Sequence, residues 1–244
     1  MKRFSAKVAC AALVISGLSA PMVTADQVAP PPPYLMTGAN TVTIAVKWDA
    51  ASLDGLLPDG VVAVDGLTGG LNVYTADGGF GLSPYSAAYA YVDVTGWDSS
   101  VGASARFILG GWYGPDPKVA AAMRTHFFSD VGTGDASQSE TGGTWTGTGG
   151  TWTGTGGDDQ GTITLTVKPG GDCVTAAGSL NYVGVAGGGD GLDLLKIPFV
   201  GDFCPAEPVA VEISGPEGSA LDRIEVAEML GGGRLRGGAF AFTK

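Results

Sequence analysis

The sequence predicts a mainly β protein, rich in turns and carrying short helices, and three observations point to it. Glycine accounts for 42 of the 244 residues, well above the usual share of about 7 per cent. Charged residues make up only 15%, which is not the balance of a helical bundle. Several segments also alternate apolar and polar side chains with period two. The clearest is Asn40 to Trp48, where Val42, Ile44, Val46 and Trp48 alternate with Thr41, Thr43, Ala45 and Lys47, the pattern of a half-buried strand. A chain of this length builds one sizeable domain with a real core, and a second domain is not required.

The first segment reads as a targeting signal. Lys2, Arg3 and Lys7 precede an apolar run from Val8 to Leu18, and Val23-Thr24-Ala25 supplies small residues at the spacing a signal peptidase prefers. Residues 1–25 are therefore expected to be removed near Ala25, leaving a secreted or periplasmic protein with no membrane association after cleavage. The apolar run is short for a span, and no later stretch reaches the roughly 20 residues that a transmembrane helix needs. Residues 26–33 end in four consecutive prolines, a polyproline-type linker. A single domain then runs over 34–244.

Within it, Asn40–Trp48 is followed by a candidate N-cap at Asp49, a short helix over Ala50 to Leu57, and a stop at Pro58. Val61 to Val64 and Leu71 to Ala76 read as strands between Gly-rich turns. A turn at Phe80 to Tyr85 leads into a strand with Tyr85, Tyr89, Tyr91, Val92 and Val94, and Arg106 to Leu109 forms another. The alanines between Lys118 and Phe128 favour a short helix. Further strands are expected at Gly161–Lys168, Leu180–Val185, Leu192–Val200, Val209–Ile213 and Arg236–Phe242.

Charge and rare residues exclude several functions. A formal net charge of -11 is wrong for a nucleic-acid partner, which needs a basic surface to replace phosphate counterions. After the signal leaves with Cys10, Cys173 and Cys204 remain, an even pair that in an oxidising compartment most economically forms one disulfide. Closing about thirty residues would stabilise the fold by roughly 3–4 kcal/mol on the loop-entropy model. His126 is the one histidine in the chain, so no Cys–His metal cluster can be assembled and no metal site is expected. A Ser–His–Asp triad would have to use that imidazole without a Gly-x-Ser-x-Gly elbow.

The segment Gly110-Gly111-Trp112-Tyr113-Gly114-Pro115-Asp116-Pro117-Lys118 sets one lysine behind two prolines that fix φ. A lysine amine is a nucleophile only when deprotonated, so a reactive one must be desolvated or placed beside another cation. The bland alternative is a solvated lysine at a helix start. The order of strand, Leu57-Pro58, strands, Gly81-x-x-Pro84-Tyr85, strand, then Gly110 to Lys118 resembles the acetoacetate decarboxylase-like superfamily over Tyr34 to about Phe128. A weaker likeness recurs from Gly218 to Phe242. That resemblance implies a closed, mostly antiparallel β barrel with short helices around a central cavity.

By the same resemblance Lys118 matches the Schiff-base lysine, which would attack a small β-keto acid or related carbonyl compound in a lyase reaction. Val119 stands where the family has a second lysine, Ser86 and Ala87 where it has a glutamate, and Trp112-Tyr113 where it has Arg-Glu. Apolar burial is then the remaining lever on the Lys118 amine. The cavity would be lined by Tyr85, Tyr89, Trp112 and Tyr113, with Arg106 or Arg124 meeting a substrate carboxylate. No organic cofactor is indicated. The expected partner is a small carbonyl or carboxylate ligand, with a homo-oligomer left open. The alternative is a non-catalytic small-molecule-binding barrel that keeps the cavity.

Low complexity occupies a Gly/Thr/Trp-rich insertion at about 131–160. Gly143 to Gly149 is followed by its near copy Gly150 to Gly156, too few repeats for a solenoid and read as a hairpin or insertion. Trp145 and Trp152 could stack on sugar rings, the basis of a third, carbohydrate-binding reading. Gly188-Gly189-Asp190-Gly191-Leu192-Asp193 fits a single calcium repeat, but more simply a Gly-rich turn.

Overall fold

A computed structural model describes residues 31–128, 131–141, 151–185 and 191–243. The signal segment, the first repeat copy with Trp145, and Gly188 to Asp190 of the calcium pattern lie outside these residues. The mainly β expectation holds: the described chain is a 12-stranded sheet with short helices.

The elements are β1 (Tyr34–Trp48), β2 (Thr68–Ala76), β3 (Gly78–Phe80), β4 (Tyr85–Val94), β5 (Ala105–Gly114), α1 (Pro117–His126), β6 (Val131–Thr133), β7 (Asp135–Thr141), β8 (Thr151–Asp158), β9 (Gly161–Pro169), β10 (Val174–Val185), β11 (Leu192–Ser214), α2 (Ala220–Arg223) and β12 (Val226–Phe242). β1 starts at Tyr34, directly after the prolines. The helix expected over Ala50 to Leu57 shrinks to a 3-10 turn at Ala51–Leu53, opened by Asp49, whose carboxylate accepts from the N–H groups of Ala51 and Ser52. Val61 to Val64 is not a strand: it touches the sheet through one bridge, Ala63 to Val94. Leu192–Val200 and Val209–Ile213 merge into one 23-residue strand.

Strand order runs β10-β5-β4-β2-β1-β12-β11, and β10 also pairs with β11, so the pairings return on themselves as a ring of strands. Most junctions are antiparallel, but the sheet is mixed. β10 lies parallel to β5 through Tyr182↔Arg106 and Val183↔Phe107, and β6 lies parallel to β5. A parallel junction demands a long crossover rather than a hairpin, and here residues 115–173 separate β5 from β10. Outside the ring, β9, β8 and β7 continue from β11.

Period-two alternation sorts the side chains onto two faces. On β4, Tyr85, Ala87, Tyr89 and Tyr91 join one buried cluster, while Ala88, Ala90, Val92 and Val94 join the other. The first cluster is aromatic and includes Tyr74, Tyr113, Tyr182, Phe242 and the buried face of α1. The second is aliphatic and sits between the ring and the outer strands, joining Val42, Ile44, Leu71 and Val73 to Ile163, Leu165 and Val167 of β9.

The second copy of the Gly-Thr-Trp repeat forms β8. A Cβ on Gly154 would lie 2.9 Å from Cβ of Val73, and one on Gly156 would lie 2.5 Å from Cβ of Ala88. Glycine at these alternate positions is what lets the outer strand press against β2 and β4. Gln138 on β7 fastens the layer further by donating to the carbonyls of Asn40 and Val73. Cys173 and Cys204 form the expected disulfide, with Cα atoms 4.0 Å apart, stapling the start of β10 to β11. Among the described residues no helix is long and apolar enough to cross a membrane.

Candidate functional site

A cavity of about 180 Å³ opens on the aromatic face of the ring. Strands β1, β2, β4, β5 and β10 supply its polar side chains: Thr41 and Thr43, then Asn72, Tyr74, Tyr89, Arg106, Tyr113 and Tyr182. Five phenylalanines with Leu180, Ile197 and Leu235 complete the apolar walls. Arg106 is the one charged residue among its described lining.

Arg106 is built into the wall. Its guanidinium carbon lies 4.2 Å from the centre of the Tyr91 ring and 5.8 Å from that of Tyr182, the geometry of a cation over an aromatic face. One terminal nitrogen donates to the Tyr182 hydroxyl at 3.2 Å, and Nε lies 4.0 Å from Asp93 Oδ1. The arginine and Asp93 side chains are each 22% exposed. Burial alone would lower the pKa of Arg106, but Tyr91 and Tyr182 outweigh it and hold the value above the ordinary one. The group is therefore a fixed positive charge, never a proton donor in catalysis.

A hydrogen-bonded chain runs from it. Tyr182 and Tyr89 hydroxyls are 3.0 Å apart, and Asn72 Nδ2 donates to Tyr89 Oη at 2.9 Å. Burial drives the phenols of Tyr74, Tyr85, Tyr89 and Tyr113 well above the usual tyrosine value, and Tyr91 up to about 12. These hydroxyls stay neutral around pH 7 and serve as hydrogen-bond partners rather than as bases. Ring contacts lock them, with Tyr113 stacked on Tyr89 at 6.1 Å and on Tyr85 at 6.2 Å.

The expected site residues divide. Tyr89, Arg106 and Tyr113 line the cavity together. Tyr85 stands behind it, its hydroxyl 2.8 Å from that of Tyr74. Trp112 belongs to the opposite, aliphatic cluster: consecutive residues of a strand face opposite sides, so Trp112 and Tyr113 cannot share one cavity. Lys118 is exposed at the start of α1, its backbone N–H donating to the capping carboxylate of Asp116, and it is not among the cavity's lining residues. Arg124 is tied elsewhere, donating to the carbonyl of Val131.

Asn72, Tyr74 and Tyr182 were not anticipated. The signal for Tyr182 was present, since an aromatic residue in the expected strand Leu180–Val185 must face one side of it. What sequence could not give was the parallel junction that sets Tyr182 opposite Arg106. No group of three or more His, Cys, Asp or Glu among the described residues is placed to hold a metal.

No protein-family model matches the chain, and no curated protein matches it. Solved structures do. One is an acetoacetate decarboxylase, 14% identical, with a TM-score of 0.63 over 94% of this chain and 93% of that one. Another is the enduracididine biosynthesis enzyme MppR complexed with pyruvate, 12% identical, with a TM-score of 0.60 over 87% and 88%. A third is an acetoacetate decarboxylase-like enzyme from Sphingomonas wittichii RW1, 17% identical, with a TM-score of 0.55 over 87% and 91%. At these identities the likeness establishes a shared fold.

Proposed function

We propose that this chain, which has the acetoacetate decarboxylase-like fold, binds a small carboxylate or carbonyl compound in the tyrosine-lined cavity, against Arg106. One observation carries the reading: a single fixed cation, with a hydroxyl chain beside it, in a cavity whose other walls are neutral and largely aromatic. A partly buried guanidinium offers paired donors to a carboxylate. One structural neighbour is a complex with pyruvate, a ligand of the class proposed. We take the strand ring as a closed barrel around this cavity. The mature chain is an exported protein, a reading supported by the Cys173–Cys204 disulfide.

A lyase reaction through an imine at Lys118 has less support, because that side chain is exposed and the described lining of the cavity holds no lysine. Calorimetry of the full chain with pyruvate, acetoacetate and simple carboxylates tests the proposal. Binding is expected, with Arg106→Gln weakening it about tenfold or more and Lys118→Met leaving it unchanged. Absence of binding across the panel would overturn the reading. Hydride reduction with acetoacetate present, followed by mass analysis, decides the imine: an adduct on Lys118 restores the lyase.

A further inference from the structure

We infer that the cavity's ligand is a compact monocarboxylate bearing one aromatic ring, of about benzoate size, rather than a three- or four-carbon oxo acid. This rests on the proposal that the cavity binds a small molecule at all. Size is the first argument. A dry engineered cavity of about 150 Å³ takes up benzene, so the present one, at about 180 Å³, holds a single six-membered ring with a small substituent. A pyruvate-sized ligand leaves part of the apolar wall without contacting atoms.

The walls are the second argument. Phe128, Phe199, Phe203, Phe240 and Phe242 surround the space, with Phe240 edge-on to Phe242 at 5.4 Å and to Tyr74 at 5.7 Å. Such walls offer ring edges and faces to a ligand ring; the remaining polar lining, Thr41, Thr43, Asn72, Tyr74 and Tyr113, is neutral and offers no second charge.

Charge and hydrogen count fix the rest. Arg106 is the only cation in the described lining, so a dicarboxylate would bury one charge without a partner. A neutral aromatic ligand would leave the terminal nitrogens of the guanidinium without an anion, since Asp93 reaches only toward Nε, at 4.0 Å. Tyr182 Oη accepts from Arg106, Tyr89 Oη accepts from Asn72, and the two hydroxyls share one hydrogen between them. Of their two phenol hydrogens one is therefore left over. Together with the guanidinium it meets the two oxygens of one carboxylate.

The test compares benzoate, its neutral isostere benzamide, phthalate and acetoacetate on the wild-type full chain by calorimetry. Benzoate is expected to bind about tenfold or more tighter than each of the others. Arg106→Gln should erase the preference for benzoate over benzamide, and Tyr182→Phe, which keeps the charge and the ring, should reduce it by a smaller factor. Benzamide or phthalate binding as tightly as benzoate overturns the inference. Arg106-dependent binding of acetoacetate without binding of benzoate also overturns it, while the cavity reading stands. Failure of every probe, pyruvate included, sinks both.

Discussion

The hydroxyls of Tyr89 and Tyr182 meet at 3.0 Å although 93 residues of sequence separate them. Each is also the acceptor for a nitrogen donor, Asn72 for one and Arg106 for the other. Four side chains from β2, β4, β5 and β10 thus form one chain of hydrogen bonds along the cavity wall, and removing any link leaves a neighbour short of a partner.

Tyr182→Phe deletes one hydroxyl and keeps the ring. It deprives Arg106 of its acceptor and Tyr89 of its partner, a loss of about 1–3 kcal/mol. Chemical denaturation should show a lower midpoint with an unchanged slope; a stability within error of wild type would show that the chain contributes nothing net.

Gly156→Val drives a branched side chain into Ala88 and Ala136, whose Cβ atoms would lie 2.5 and 2.8 Å from the new Cβ. The expected cost is about 1–3 kcal/mol, measured as a fall in melting temperature. Thr151→Val, in the same strand but paired with the exposed edge residue Thr141, should cost less than about 0.5 kcal/mol.

Reduction of Cys173–Cys204, which spans a sequence separation of 31, should destabilise the protein by roughly 2–4 kcal/mol. A thiol reductant is expected to lower the melting temperature of the wild type and to leave the Cys173→Ser/Cys204→Ser double variant where it already stands. A reductant that moves both equally would place the effect elsewhere.

Alkaline pH should unfold the protein through its tyrosines. Burial raises the phenols of Tyr34 and Tyr91 from 10.0 to about 12, and those of Tyr74, Tyr85, Tyr89 and Tyr113 well above 10.0. The folded chain then holds protons that the unfolded chain releases above pH 10, so their contribution is intact below pH 10 and is lost as pH rises toward 12 and beyond. Phenolate absorbance at pH 11 should stay small while the protein is folded and appear with unfolding; a gradual rise near pH 10 without loss of structure would contradict this.

Much of the fold was legible because β-strands announce themselves locally. The alternation from Val42 to Trp48 lies inside β1, and Gly161 to Lys168 lies inside β9. Glycine hid the rest: β8 reads Thr-Trp-Thr-Gly-Thr-Gly-Gly-Asp, with no apolar stripe, because its packing face consists of absent side chains. For the site, Tyr89, Arg106 and Tyr113 could be found from their strands. Lys118 drew attention through its prolines, yet an N-capping Asp116 and Pro117 at the first helical position serve equally to start α1. Tyr182 needed the pairing of β10 with β5, which joins segments 76 residues apart and leaves no local trace.

That junction has a consequence in time. It consists of two residue pairs, Tyr182↔Arg106 and Val183↔Phe107, and its first pair is also part of the cavity wall. Contacts of such long sequence separation form late, after local hairpins have repaid their entropy. Until β10 docks, Arg106 rests over Tyr91 and beside Asp93 but lacks its Tyr182 acceptor, and Tyr89 lacks its Tyr182 partner. The cavity wall is complete only once β10, β11 and β12 are all in place, so on the proposed reading a ligand added during refolding should accelerate no early step and should slow the reopening of this one seam.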